Sequence, residues 1–272
     1  MRISFYMIVF FRIFLSTAQA GGEFISIGGR SAGMANASIS LSDGWAGFNN
    51  QAGLAWNRKF CAGIYYENRF MIKEIAIKAF SAVLPVKKGS FGISFSYFGY
   101  SMYNEMKSGL AYAMNLGNSF SAGVQIDYLR FHAGNDLGTK NLFTFEIGLQ
   151  FRVKEQLCLG VHIFNPVAVK LTEDPQERLP TVFRTGLGWD ITESFLVVAE
   201  IEKELLNDPA LKAGMEYHFV KPLFIRIGYM TAPSQFTFGF GLEFGRFSID
   251  IASSYNMILG FSPQGSINYQ FN

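Results

Sequence analysis

Residues 142–153 read LFTFEIGLQFRV, and the odd positions Phe143, Phe145, Ile147, Leu149, Phe151 and Val153 are all large and apolar. The even positions after Leu142 hold Thr144, Glu146, Gly148, Gln150 and Arg152. A period of two puts every apolar group on one face of a strand. The same alternation returns in Gln235–Phe244, where Phe236, Phe238, Phe240, Leu242 and Phe244 face away from Gln235, Thr237, Gly239, Gly241 and Glu243. Phe247, Ile249 and Ile251 continue it against Ser248, Asp250 and Ala252.

Outward from these runs, turn residues divide the chain into about fourteen strands. They are predicted near 60–69, 73–85, 91–101, 108–116, 120–131, 142–153, 157–165, 181–192, 195–204, 210–220, 223–231, 234–245, 247–256 and 264–272. Such lengths suit the roughly 9–11 residues with which a tilted strand crosses a bilayer. The connections 86–90, 117–119, 154–156, 193–194, 221–222 and 246 are short, whereas 132–141 and 168–180 are long. The stretches 70–72 and 232–233 depart from this sorting. Short turns on one side and longer loops on the other describe an outer-membrane barrel with periplasmic turns. An even strand number then predicts that both ends of the mature chain are periplasmic.

The faces opposite the apolar ones carry Glu146, Arg152, Arg184, Asp190, Glu200, Lys212, Glu216, Arg226, Glu243 and Asp250. A soluble sandwich would bury the apolar faces and give these charges to water. It has no reason to sort its turns, so the Phe-rich faces are read as lipid-facing, with sheet closure satisfying the backbone. Trp189, Tyr217 and Tyr229 fall near strand ends, where amphipathic rings prefer the interface. In the final run Ile267, Tyr269 and Phe271 alternate with polar residues, and Asn272 ends the chain.

Composition agrees. Of 272 residues, 49% are hydrophobic, 16% aromatic and only 16% charged, against about 25% charged in average globular domains. Twenty-nine Phe and twelve Tyr exclude a disordered chain. Lys+Arg at 23 against Asp+Glu at 21 leaves no field to attract nucleic acid. Residues 1–20, MRISFYMIVFFRIFLSTAQA, have a basic start, an apolar stretch and a small-x-small ending, and are predicted to be a cleaved signal peptide. Position 21 is Gly and not Cys, which disfavours a lipid anchor, and no later run of 18 apolar residues offers a membrane helix. Cys61 and Cys158 lie in strand-like runs and read as free, packed thiols.

Residues 21–58 do not alternate. They mix Gly, Ala, Ser and Asn with Phe24, Ile27, Met34, Ile39, Trp45, Phe48 and Leu54, too many apolar groups to leave in water. A barrel lumen is the available container. The predicted organisation is therefore a signal peptide over 1–20, a hatch over 21–58 and an all-β transmembrane antiparallel barrel over 59–272.

Three blocks in this segment carry a resemblance. Gly29–Ala37 (GRSAGMANA), Leu41–Ala46 (LSDGWA) and Asn49–Ala55 (NNQAGLA) resemble the PorV/PorQ branch of the FadL-like barrels. The match covers about 30 residues, and the rest agrees in architecture alone. The resemblance implies fourteen strands around an N-terminal hatch, in the outer membrane of a Gram-negative bacterium such as one of the Bacteroidota. It implies a non-enzymatic role in type IX protein secretion, with secretion components or exported cargo as partners. The alternative is a FadL-like channel for a hydrophobic solute such as a long-chain fatty acid, and a third reading is a barrel enzyme acting on lipid. The family's usual Asn-Pro-Ala-Gly is Asn50-Gln51-Ala52-Gly53 here, so the hatch motif Asn49, Asn50, Gln51, Ala52 and Gly53 regains an N–H where proline has none.

Mixed signs on the inferred lumenal face predict pairing across strands and a grip on the hatch, through Glu146, Arg152, Arg184, Asp190, Lys212, Glu216 and Arg226. The longest loop offers Lys170, Glu173, Asp174, Glu177 and Arg178 to an extracellular partner. The three histidines, His132, His162 and His218, lack partners at metal spacing. His132 lies near a lipid interface without a serine motif beside it, and Gly239-Phe240-Gly241 is a strand and not a phosphate loop. No metal, cofactor or catalytic residue is predicted.

Overall fold

A computed structural model describes residues 22–134, 138–171 and 178–271, so the expected signal peptide lies outside the described residues. Fourteen strands are found there: β1 (Cys61–Asn68), β2 (Ala76–Val86), β3 (Gly89–Gly99), β4 (Tyr103–Asn115), β5 (Phe120–Ala133), β6 (Thr139–Lys154), β7 (Leu157–Phe164), β8 (Val182–Thr192), β9 (Phe195–Glu204), β10 (Ala210–Val220), β11 (Leu223–Thr231), β12 (Ser234–Phe244), β13 (Phe247–Asn256) and β14 (Gly260–Gln270). Each pairs antiparallel with its neighbour in sequence, and β1 pairs with β14 (Cys61 opposite Gln270) to close the barrel. The last turn of pairing is extended by the Phe271 amide, which donates to the Phe60 carbonyl at 2.8 Å beneath stacked Phe60 and Phe271 rings.

Alternation builds this wall. Phe143, Ile126 and Ile251 are 67%, 64% and 63% exposed, whereas their neighbours Thr144, Gln125 and Asp250 are buried. Apolar out and polar in is the inverse of a soluble sheet and the pattern of a lipid-embedded barrel. No helix among the described residues is long and apolar enough to cross a membrane.

Several strand limits differ from the sequence reading: β4 begins at Tyr103 and not at 108, β2 at Ala76 and not at 73, and two further differences have a clear cause. β5 and β6 run on to pair His132 with Thr139, so the expected 132–141 loop shortens to the residues between Ala133 and Thr139. Thr139–Asn141 are polar on both faces beyond the apolar band, so they carry no periodic signal. β14 begins at Gly260 and not at 264, with Pro263 opposite Ser253 and turned outward. Gly and Pro had marked a turn there; an outward Pro is tolerated where its missing donor is not needed by the ladder.

Connections after even strands span two to four residues, and we call that rim the turn end. Those after odd strands form the loop end, dominated by 165–181. Asn165 organises this loop. Its Oδ1 accepts from Thr144 Oγ1 at 2.7 Å, and its Nδ2 donates to the Leu179 carbonyl at 2.8 Å.

Residues 22–57 run through the inside of the barrel. Ile27, Met34, Ile39, Trp45, Phe48 and Leu54 are each 1% exposed or less. One helical turn, Gly29–Ala32, packs on β12, β13 and β14, and the 3-10 turns of Gln51–Trp56 pack on β3 to β6, so this lumenal segment reaches both sides of the wall. It approaches backbone to backbone. A Cβ on Gly123 would lie 2.6 Å from the carbonyl carbon of Gln51, and one on Gly228 would lie 2.5 Å from the Ala35 nitrogen. Gly123→Ala should therefore cost about 1–3 kcal/mol by overpacking, read as a lower urea midpoint and weakened amide protection over Gln51–Gly53. Gly265→Ala, whose new Cβ would sit an ordinary 3.4 Å from the Asp250 carbonyl, should leave both unchanged.

The chain enters this segment from the loop end. The Gly22 amide donates to Glu105 Oε2 at 3.1 Å near the start of β4, and Glu23 pairs with Arg69 at 2.9 Å. Gln270 lies at the turn end opposite Cys61. The described chain therefore starts and finishes at opposite rims, unlike the expectation that both mature ends share one side. The segment runs the length of the lumen before β1 begins, which alternation within strands cannot report.

Candidate lumenal site

Three buried ionic clusters tie the segment to the wall. In the first, Glu146 on β6 faces β4, β5 and β7. Its Oε2 accepts from Gln51 Nε2 at 2.6 Å and lies 2.7 Å from His162 Nε2, while Oε1 pairs with Lys107. Asp127 lies 3.7 Å from the same ammonium and accepts from Gln125 Nε2 at 2.8 Å. Adjacent inward positions bring these side chains together, Gln125 standing opposite Glu146.

The second cluster centres on Arg184 of β8. Its Nε donates to Glu200 Oε1 at 2.7 Å, one terminal nitrogen to the Asn49 carbonyl at 2.7 Å, and the other to Ser38 Oγ at 2.8 Å. Glu200 Oε2 accepts the Ser38 and Ile39 amides at 2.9 and 3.0 Å. Lys212, directly across from Glu200, lies 2.6 Å from Glu202. In the third, Glu216 is held between Arg30 at 2.7 Å and Arg226 at 2.5 Å, and Arg226 also donates to Asp250 Oδ1 at 2.7 Å. Buried charges are tolerated because each is paired and hydrogen-bonded. Every cluster includes groups from the lumenal segment, so displacing it takes hydrogen-bond partners from wall charges that otherwise keep one another.

Above the segment, at the loop end, lies a cavity of about 530 Å³. Its floor is Glu23–Ser26 and Asn36, and its rim includes Phe70, Asn207, Asp208, Ala232 and Pro233 from three loop-end connections. Val182, Ala210 and Met230 add apolar wall beside Glu67, Arg69, Glu202, Glu204 and Lys212.

No family model matches the chain, and no curated protein matches it in sequence. Solved structures do match. The CymD monoaromatic hydrocarbon channel superposes with a TM-score of 0.69 at 11% identity, over 93% of this chain and 99% of that one. A Pseudomonas aeruginosa FadL homologue gives 0.68 at 12% identity, over 93% and 100%. The Ralstonia pickettii toluene transporter TbuX gives 0.68 at 11%, over 92% and 100%. The fold is that of the FadL-like outer-membrane barrels.

Within this FadL-like barrel the residues read from the sequence separate. Glu146, Arg184, Lys212, Glu216 and Arg226 enter the three clusters. Arg152 does not; its guanidinium lies 3.7 Å above the Trp56 ring. Asp190 is exposed near the end of β8, its amide donating to the Gln156 carbonyl at 2.8 Å. Both sit near the turn end, past the segment's ionic contacts. Lys170 and Arg178 bridge across the long loop, while Glu173, Asp174 and Glu177 lie outside the described residues. Lys107, Asp127 and Arg30 were missed as partners. Asp127 was detectable, since Gln125 and Asp127 alternate against Val124, Ile126 and Tyr128.

The Asn49–Gly53 motif is wholly buried. Asn49 exchanges two hydrogen bonds with the Ile27 backbone, at 3.3 and 2.9 Å, and Asn50 Oδ1 accepts the Ala52 amide at 3.2 Å. A Cβ on Gly53 would fall 2.6 Å from the Leu41 carbonyl. Asn50 is extended at φ −160° and Gln51 opens the 3-10 turn, a position whose backbone suits proline. What Gln51 adds is its side chain, bridging Glu146 to the Gly47 carbonyl. Gln51→Pro should therefore keep the turn but cost about 1–3 kcal/mol by leaving a Glu146 oxygen short of a donor, seen as a lower urea midpoint that Gln51→Glu does not restore.

Proposed function

We propose that the protein is an outer-membrane channel for a small hydrophobic solute and that the 21–58 segment, described from residue 22, forms its hatch. The observation that carries this reading is the half-apolar cavity at the loop end, whose floor is the hatch itself. A solute resting there has the hatch as the barrier to the other side. The turn end faces the periplasm and the loop end the exterior, by the usual asymmetry of such barrels. The similar solved structures, described as hydrocarbon channels and transporters, support the same reading. The secretion role implied by the hatch motifs ranks second, because the similar solved structures are described as channels and transporters of hydrophobic solutes.

The test is uptake by intact Gram-negative cells, whose outer leaflet slows apolar solutes. Cells expressing the protein should take up a radiolabelled monoaromatic hydrocarbon several-fold faster than cells with an empty vector. Equal rates, with the barrel inserted, would remove the channel reading.

A further inference from the structure

The loop-end cavity carries an excess of negative charge. Its lining holds five carboxylates, Glu23, Glu67, Glu202, Glu204 and Asp208, against two cations, Arg69 and Lys212. Both cations are already engaged. Arg69 lies 2.9 Å from Glu23 and 3.4 Å from Glu67; Lys212 lies 2.6 Å from Glu202 and 3.7 Å from Glu200. Glu204 Oε2 accepts the Asn207 amide at 2.7 Å, but its Oε1 is buried without a partner. Asp208 makes no ion pair among the described residues, and Lys203 of the same hairpin donates instead to the Asn207 carbonyl. A second unanswered group lines the cavity, the Ser26 hydroxyl, on a residue only 8% exposed. Phe24, Ile25, Phe70, Val182 and Met230 supply apolar surface in the same space.

Resting on the channel reading above, we infer that the preferred solute is a hydrophobic amine, an apolar body with a cationic head. The body displaces water from the Phe24, Phe70 and Met230 surfaces. The ammonium answers the carboxylates that Arg69 and Lys212 leave uncompensated, Glu204 and Asp208, which accept from an ammonium and repel a carboxylate; the Ser26 hydroxyl can accept from the same head. A low-dielectric cleft with an excess of one sign focuses its field on such a ligand. The same field repels a fatty-acid carboxylate.

The experiment uses three ligands of one shape and different charge: benzylammonium, benzyl alcohol and benzoate. Their binding to the full barrel in zwitterionic nanodiscs is measured by ligand-detected NMR against empty nanodiscs. Benzylammonium should bind about tenfold more tightly than benzoate, with the alcohol between, and about 0.5 M salt should shrink the ratio. The Glu204→Gln/Asp208→Asn variant, altered only at the rim, should bring the three affinities together. Benzoate binding as well as benzylammonium would overturn the inference and leave the channel reading standing. A preference that survives in the double variant would also overturn it. Failure of all three ligands to bind would overturn the channel reading too.

Discussion

Removing Gly22–Trp56 should turn a closed barrel into a leaky one, with single-channel conductance in planar bilayers rising at least about tenfold. The wall should still form, because its backbone hydrogen bonds run between strands and owe nothing to the lumenal segment. What changes is the filling. The segment's apolar side chains are buried against the wall, and Glu146, Glu200, Glu216 and Arg226 would then face water that can solvate them. Conductance equal to that of the intact chain would mean that the segment does not occupy the lumen.

Arg184→Ala should be the most damaging single substitution in the wall. It removes donors to Glu200, Ser38 and the Asn49 carbonyl at once, and leaves Glu200 buried with Lys212 alone at 3.7 Å. Breaking a buried pair from one side costs about 3–5 kcal/mol. The loss should appear locally, as faster hydrogen exchange of the Ser38 and Ile39 amides, which lean on the same Glu200 oxygen. Arg184→Lys should recover only part of it, since one ammonium cannot span three separate acceptors. Unchanged exchange at these amides would contradict the role given to the cluster.

The wall was legible because lipid on one side and a polar lumen on the other impose a period of two on every strand. β9, β10, β11 and β13 match the sequence reading residue for residue. Legibility failed where one of those solvents was missing. Thr139–Asn141 of β6 project past the apolar band, so nothing alternates. Arg152 and Asp190 have the inward phase but lie too near the turn end for the lumenal segment's ionic contacts. Phase gives a face and not a depth.

The lumenal segment was legible as a container problem and not as a structure. Its small residues and apolar anchors call for enclosure, yet its path is set by side chains far away in sequence. Ser38 meets Glu200, Gly29 meets Ser266 and Gln51 meets Glu146. No local period encodes such pairs. Wall glycines such as Gly123 and Gly228 carried the complementary signal, since a small inward residue permits close backbone approach, but their spacing alone does not say what approaches.

If the lumenal segment is the hatch of a channel, solute passes only when that segment gives way, and locking it tests the proposed function most directly. A Cβ on Gly44 would lie 3.4 Å from the Sγ of the free, buried Cys61, close to the reach of a disulfide with its S–S bond of about 2.05 Å. Gly44→Cys, in a Cys158→Ser background, should therefore staple the hatch to β1 under oxidation. Initial uptake of a radiolabelled monoaromatic hydrocarbon by cells carrying this variant should fall to the empty-vector rate when oxidised and return when dithiothreitol opens the bridge. Equal uptake in the two states, with the disulfide verified by mass spectrometry, would contradict a moving hatch.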